Sequence, residues 1–241
     1  MSHEMNRTTD RKQEFRSGLK DGIPIALGYF AVSFTFGIKA VDGGLSIWQA
    51  VLISLTNLTS AGQFAGLDII IAMGSYWEMA LTQLVINLRY CLMSFSLSQK
   101  LRRDVPWVHR FFVSFGVTDE IFGVSASREG KVHPFYSYGA MCVAVPGWTL
   151  GTLVGGFFGS ILPEFILSAL SVAIYGMFLA VIIPPARKEK AVRFVVIGAM
   201  AVSTLFAVVP FLKKVSSGFV IIITTLLVAG AAAYLAPIKE E

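Results

Sequence analysis

The chain has 241 residues, 55% hydrophobic and only 15% charged, with a mean hydropathy of +0.68 and a net charge of +5. Soluble domains carry about 25% charged residues. Here Asp, Glu, Lys and Arg are missing between Lys131 and Glu164, from Phe165 to Ala186, from Phe194 to Leu212 and from Val215 to Ile238, runs near or above the roughly 18 residues of a spanning-helix candidate. A soluble enzyme is excluded on that ground, and nucleic-acid binding is disfavoured because the basic residues gather in short segments between apolar blocks. The fold class expected is an all-α polytopic membrane protein.

In chain order, residues 1–21 are a polar tail with Arg7, Arg11, Lys12, Arg16 and Lys20. The tail is expected on the cytoplasmic side, with no cleaved signal peptide. A single transmembrane transport domain over 22–237 and a C-terminal tail over 238–241 follow. The first helix is expected over about 22–41, closed by the turn Asp42-Gly43-Gly44. The block Leu45 to Trp77 has one charge, Asp68, and a polar string at its middle, Asn57-Leu58-Thr59-Ser60-Ala61-Gly62-Gln63-Phe64-Ala65-Gly66. Backbone freed at that depth is tolerated only where protein or a wet cavity satisfies it, and transporters build their sites at such breaks. Ser60 and Gln63 fit an S-x-x-Q capping box, which would start a half-helix near Ala61 with its positive end offered to a carboxylate. Tight helix packing by small residues is the alternative.

Next come an apolar segment over 78–99 with Arg89 near its middle and a loop holding Lys100, Arg102, Arg103, His109 and Arg110. At about 100° per residue, Gln83, Asn87, Tyr90 and Ser94 share one face, and Thr82, Arg89 and Ser96 another. An Arg at membrane depth is costly and usually paired. Its expected partners are Asp68, Asp119 or Glu120, unless it holds substrate. Phe111 to Ser127 is short, carries Thr118-Asp119-Glu120, and has basic residues at both ends. Adjacent carboxylates oppose joint ionisation, so this pair suits proton coupling, a substrate ammonium, or simple capping of a short helix. Apolar blocks at about 136–162, 164–185, 192–212 and 216–236 complete about seven to eight membrane segments. If Leu45 to Trp77 dips in and returns, the basic loop Lys100 to Arg110 falls on the cytoplasmic side. Simple crossings throughout are the alternative. The Gly-rich stretches Gly28 to Gly37 and Gly147 to Gly159 echo each other, as structural repeats would.

Glu78 and Lys39 lie near block ends, where the interface is within reach. Cys91 and Cys142 lie far apart in apolar segments and are expected to be inert core residues. His109 and His133 form no metal set. No P-loop, H-E-x-x-H or G-x-S-x-G motif occurs, so neither enzyme activity, metal nor cofactor is expected.

At these residues the chain resembles the AzlC family, the large subunits of branched-chain amino acid exporters. The resemblance runs from about Phe15 to Pro210 and rests on Gly18 to Gly37 (GLKDGIPIALGYFAVSFTFG), Ala61 to Ala65 (AGQFA), Asn87 to Ser94 (NLRYCLMS) and Thr118 to Glu120 (TDE). Tyr90 stands where that family's N-x-R-H pattern has His. The resemblance implies secondary export of leucine, isoleucine, valine and methionine by proton exchange, in a bacterial inner membrane, with a small hydrophobic AzlD-type partner. The substrate-binding or coupling residues expected are Asn57, Ser60, Gly62, Gln63, Phe64, Asn87, Arg89, Thr118, Asp119 and Glu120. An uncoupled facilitator and a non-transporting assembly subunit are the competing functions.

Overall fold

Helix ends fall at the polar and glycine punctuation. The computed structural model describes residues 2–102, 104, 106–161, 163, 165, 179, 182–183, 186–187 and 189–235. Its helices are α1 (Ser2–Asp42), α2 (Ile47–Thr56), α3 (Ala61–Ile71), α4 (Tyr76–Lys100), α5 (Val108–Phe115), α6 (Asp119–Ser127), α7 (Pro134–Phe158), α8 (Lys190–Val208) and α9 (Ser217–Leu235). Among the described residues there is no β-strand, and α1, α4, α7 and α8 are long and apolar enough to cross a membrane. The expected block 164–185 lies largely outside the described residues, and the tail 238–241 wholly so.

Two differences from the sequence reading concern helix ends. The first helix does not start near Gly22: α1 is continuous from Ser2, because Asp10 and Glu14 on its early turns find Arg102 and Arg128 as partners at 2.8 and 3.0 Å. The block Phe111 to Ser127 is itself broken, into α5 and α6, at Gly116-Val117-Thr118. The polar string breaks its own block as expected: α2 ends at Thr56 and α3 begins at Ala61. With 10 and 11 residues these helices are about 15–17 Å long at 1.5 Å per residue, half a hydrocarbon core.

One unit comprises residues 1–60 and 88–171. Its axis is the pair α1 and α7, which run parallel with their backbones in contact. A Cβ at Gly147 would lie 2.7 Å from the Ala26 carbonyl oxygen, one at Gly151 2.9 Å from Phe30 Cα, and one at Gly155 2.9 Å from Phe34 Cα. The spacing Gly147, Gly151, Gly155 is a small-xxx-small stripe, the arrangement that lets helices approach closely in lipid. Helix α2 is fixed to α7 by the buried Ser54–Thr152 hydroxyl pair, 2.6 Å apart. The ends of α4 and the start of α7 are joined by backbone hydrogen bonds, Arg102 N–H to Val132 O (3.0 Å) and Val132 N–H to Lys100 O (2.9 Å). Beneath them Leu97, Leu101, Val113, Val117, Val132 and Tyr136 form a small core. At this end the Arg102 guanidinium holds the Asp104 carboxyl below its ordinary range by hydrogen bonding, and burial lowers the His133 imidazole.

The other unit comprises residues 61–87 and 172–241. In it α3 packs on α9, and α8 on α9 with Gly198 against Val228. The C-terminus of α3 closes with Gly74 N–H on Ile69 O (2.8 Å) and Met73 N–H on Ile70 O (3.0 Å). This is a Schellman-type turn in which Met73, at φ 54°, takes the place usual for Gly. Cys91 and Cys142, expected in the core, are exposed: a thiol is apolar enough for a lipid-facing position.

The stripe makes a sharp stability prediction. Gly155→Leu forces a side chain into the Phe34 backbone and should destabilise by at least the roughly 1–3 kcal/mol of an overpacked core. Gly230→Ala, where nothing lies within 4 Å, should change stability by no more than about 1 kcal/mol. Thermal unfolding in detergent measures both.

Candidate functional site

In the first unit the charged residues of α4 and α6 meet. Arg89 Nη1 lies 2.7 Å from Asp119 Oδ2, with the two side chains 40% and 29% exposed. The guanidinium also covers the Tyr90 ring at 5.0 Å and donates to the Tyr90 hydroxyl at 3.3 Å. The Tyr90 hydroxyl donates in turn to the Thr59 carbonyl at 3.2 Å, so the α2 break supplies an acceptor to α4. Arg89 Nε is buried with no hydrogen-bond partner among the described residues. Asp119 is thus the acid that pairs with Arg89, of the three the sequence offered.

Thr118, in extended conformation, caps α6 through its hydroxyl, which accepts the Ile121 N–H at 3.3 Å. Asp119 and Glu120 occupy the first turn, where the helix dipole favours acids. Tyr29 on α1 was not singled out from the sequence, yet its hydroxyl lies 2.6 Å from both Thr118 Oγ1 and Glu120 Oε2. A phenol has one proton, so where it donates to the Glu120 carboxyl oxygen the Thr118 hydroxyl supplies the other bond. The Tyr29 ring meets Trp148 of α7 edge-on at 5.2 Å. Only a contact between helices far apart in sequence could have marked this residue.

Asn57 and Ser60 serve the break itself. Asn57 ends α2, and its side-chain oxygen accepts the Thr59 N–H at 3.3 Å, a local turn of the Asx kind. The capping box expected at Ser60 and Gln63 does not form. Ser60 has φ 52°, whereas a cap needs extended backbone to bring its oxygen onto the first turn; its hydroxyl is buried without a partner. The same S-x-x-Q pattern forms a complete capping box one helix earlier, Ser46 with Gln49 at the start of α2.

In the second unit Gln83 of α4 donates to the Gly62 carbonyl at 2.7 Å and accepts from Asn87 at 3.0 Å. Gln63 is fully buried and Phe64 half-buried in the first turns of α3. Gly66 gives Gln83 its room: a Cβ there would lie 3.1 Å from Gln83 Nε2. The expected polar face of α4 therefore exists, with Gln83 and Asn87 used here and Tyr90 in the first unit. No group of three or more metal-ligating His, Cys, Asp or Glu occurs among the described residues.

The AzlC protein family matches residues 24–162. The inner membrane protein YgaZ of Escherichia coli K12 is 27% identical over 80% of this chain and 83% of its own length. An uncharacterised membrane protein of Archaeoglobus fulgidus is 33% identical over 70% and 75%. The branched-chain amino acid transport protein AzlC of Bacillus subtilis is 22% identical over 77% and 73%. No solved structure matches the chain.

Two substitution pairs test the local geometry. Tyr29→Phe leaves Glu120 without its phenol donor and should cost about 1–3 kcal/mol, whereas Tyr29→Leu should cost more by losing the Trp148 contact as well. Ser46→Ala should cost about 1 kcal/mol as a lost cap, while Ser60→Gly should stabilise by relieving roughly 1 kcal/mol of left-handed strain. Chemical or thermal unfolding of the purified protein reads all four.

Proposed function

The chain belongs to the AzlC family and has a role in membrane transport, and from that footing we propose that it is the large subunit of a secondary exporter of branched-chain amino acids. The observation that carries this reading is the half-exposed Arg89–Asp119 pair. A zwitterion presents the complement of an ion pair. Its carboxylate replaces Asp119 on the guanidinium fork, and its ammonium replaces Arg89 on the Asp119 carboxylate. Arg89 Nε keeps a free donor for the same purpose. The printed function of the Bacillus subtilis relative, branched-chain amino acid transport, supports an apolar side chain on the substrate. Thr118 and Glu120 hold α6 in place beside the pair, and Gln83 and Asn87 hold the first turn of α3, with Gly62, Gln63 and Phe64, for a role at the start of that helix. Proton exchange drives export in this reading, with a small AzlD-type subunit as partner.

A parity argument supports the membrane path of this reading. The start of α1 and the end of α4 lie at one end of the first unit, tied by Arg102 and Asp10. Crossings between them must be even in number. Helices α1 and α4 each supply one, so the block containing α2 and α3 dips and returns. The end of α4 and the start of α7 are likewise tied, at Lys100, Arg102 and Val132, so α5 and α6 also return. The end that holds Arg11, Arg102, Arg128 and Lys131 is rich in basic residues, which supports a cytoplasmic position for it in this reading.

Reconstitution with the small subunit tests the function. Radiolabelled leucine should accumulate in proteoliposomes when a pH gradient is imposed, and Arg89→Ala or Asp119→Asn should lower the rate by on the order of tenfold or more, one lost charge-assisted contact being worth about 1.5–3 kcal/mol. Flux indifferent to the gradient would mark a facilitator, and no flux with the partner present would mark an assembly subunit. The path has its own test. With Cys91 and Cys142 replaced, Asp104→Cys and Glu129→Cys should react with an impermeant maleimide from one side of the membrane, and Asp42→Cys and Tyr76→Cys from the other. A block crossing once would separate Asp42 from Tyr76.

A further inference from the structure

Glu78 was expected to reach the interface, yet it is only 6% exposed. It lies in the second unit, two residues into α4. Its Oε1 accepts a hydrogen bond from the Ser216 hydroxyl, and its own N–H is fixed on Ser75 Oγ at 3.1 Å. One turn along α4, Thr82 is fully buried and its hydroxyl has no hydrogen-bond partner among the described residues. Gly218, in the first turn of α9, lets both side chains pack against its backbone: a Cβ there would lie 2.6 Å from Thr82 Oγ1 and 2.8 Å from Glu78 Oε1. A carboxyl, two hydroxyls and bare helix backbone therefore meet at one buried place.

No cationic side chain among the described residues pairs with this carboxylate. Lys213 and Lys214 precede α9 and form no ion pair with it. Asp68 is the charged residue of α3, and Lys190 and Arg193 sit at the far end of α8. Asp119 is tied to Arg89, and Glu120 to Tyr29. Glu78 has hydrogen-bonding groups beside it that serve either protonation state. As an anion it accepts from the Ser216 hydroxyl and lies against Gly218 in the first turn of α9, where the helix dipole favours negative charge. As an acid it turns its O–H onto Thr82 Oγ1, an acceptor that otherwise lacks a donor.

We propose that Glu78 is the proton-carrying carboxylate of the exporter, with Thr82 and Ser216 as its hydrogen-bonding partners. The proposal rests on the proton-exchange reading above. An exporter running on proton exchange takes its protons from the outer side of the membrane. A proton from hydronium there adds to the carboxylate, one O–H bond forming as one in hydronium breaks, and the same proton leaves to water on the cytoplasmic side as the carboxyl O–H bond breaks and hydronium forms again. No electron changes hands.

Infrared difference spectra of the purified protein between acid and alkaline pH test this without transport. The wild type should show a buried carboxylic-acid band that Glu78→Gln removes and Thr82→Val shifts. Superimposable wild-type and Glu78→Gln spectra would overturn the proposal. In proteoliposomes with the small subunit, Glu78→Gln should lower gradient-driven leucine flux on the order of tenfold or more, and leucine–leucine exchange by clearly less. Undiminished gradient-driven flux in Glu78→Gln overturns the proposal. Absence of leucine flux in the wild type would remove the exporter reading, while the infrared bands would still decide whether Glu78 takes up the proton.

Discussion

The seam between α1 and α7 is the contact on which the first unit depends. In lipid, apolar side chains gain nothing by leaving hydrocarbon for one another, so association rests on close packing and hydrogen bonds. Gly147, Gly151 and Gly155 bring α7 onto the backbone of α1, and other elements are then placed by attachment to this pair. Helix α2 hangs on Thr152 of α7, α6 on Tyr29 of α1, and the loop after α4 on Asp10 of α1. The seam is parallel, so the two Gly-rich stretches that echo in the sequence are side by side and codirectional. If they are equivalent parts of a repeat, that repeat is of the parallel kind.

The breaks are where the membrane's demand for satisfied polar groups is met. At Asn57 the turn satisfies itself through an Asx bond, and α4 completes it from Tyr90. At Thr118 a cap does the same, completed by Tyr29. Most polar side chains near the breaks are consumed in this way. Among the described residues, buried groups with unused hydrogen-bonding capacity include Arg89 Nε, beside Asp119, and the Thr82 hydroxyl, beside Glu78, together with the Thr59 and Ser60 hydroxyls and Asn87 Oδ1 near the first break. The first two stand next to a carboxylate, which suits them to substrate and proton.

Legibility in the sequence differed with range. The block breaks at Asn57 to Ser60 were readable because polar residues at membrane depth have few other uses, and the two faces of α4 because helical geometry fixes which residues align. The second break, at Gly116 to Thr118, was hidden in a run of Phe and Val that looked like one short segment. Ser60 and Ser46 carry the same S-x-x-Q pattern, but only Ser46 has the extended backbone that capping requires. A motif states which atoms are available, and the backbone decides whether they meet.

Composition, charge-free runs and polar interruptions by themselves determined the helical membrane class, the break between α2 and α3 and the candidate charges, because each follows from local transfer energetics and a 3.6-residue period. Tertiary structure alone decided that Arg89 pairs with Asp119 and not with Asp68 or Glu120, that Tyr29 belongs to the α6 cap, and that Glu78 is buried against Ser216. Each of these joins residues from segments that nothing in the linear sequence orients toward one another; the orientation is set by which helix backbones glycine allows to touch.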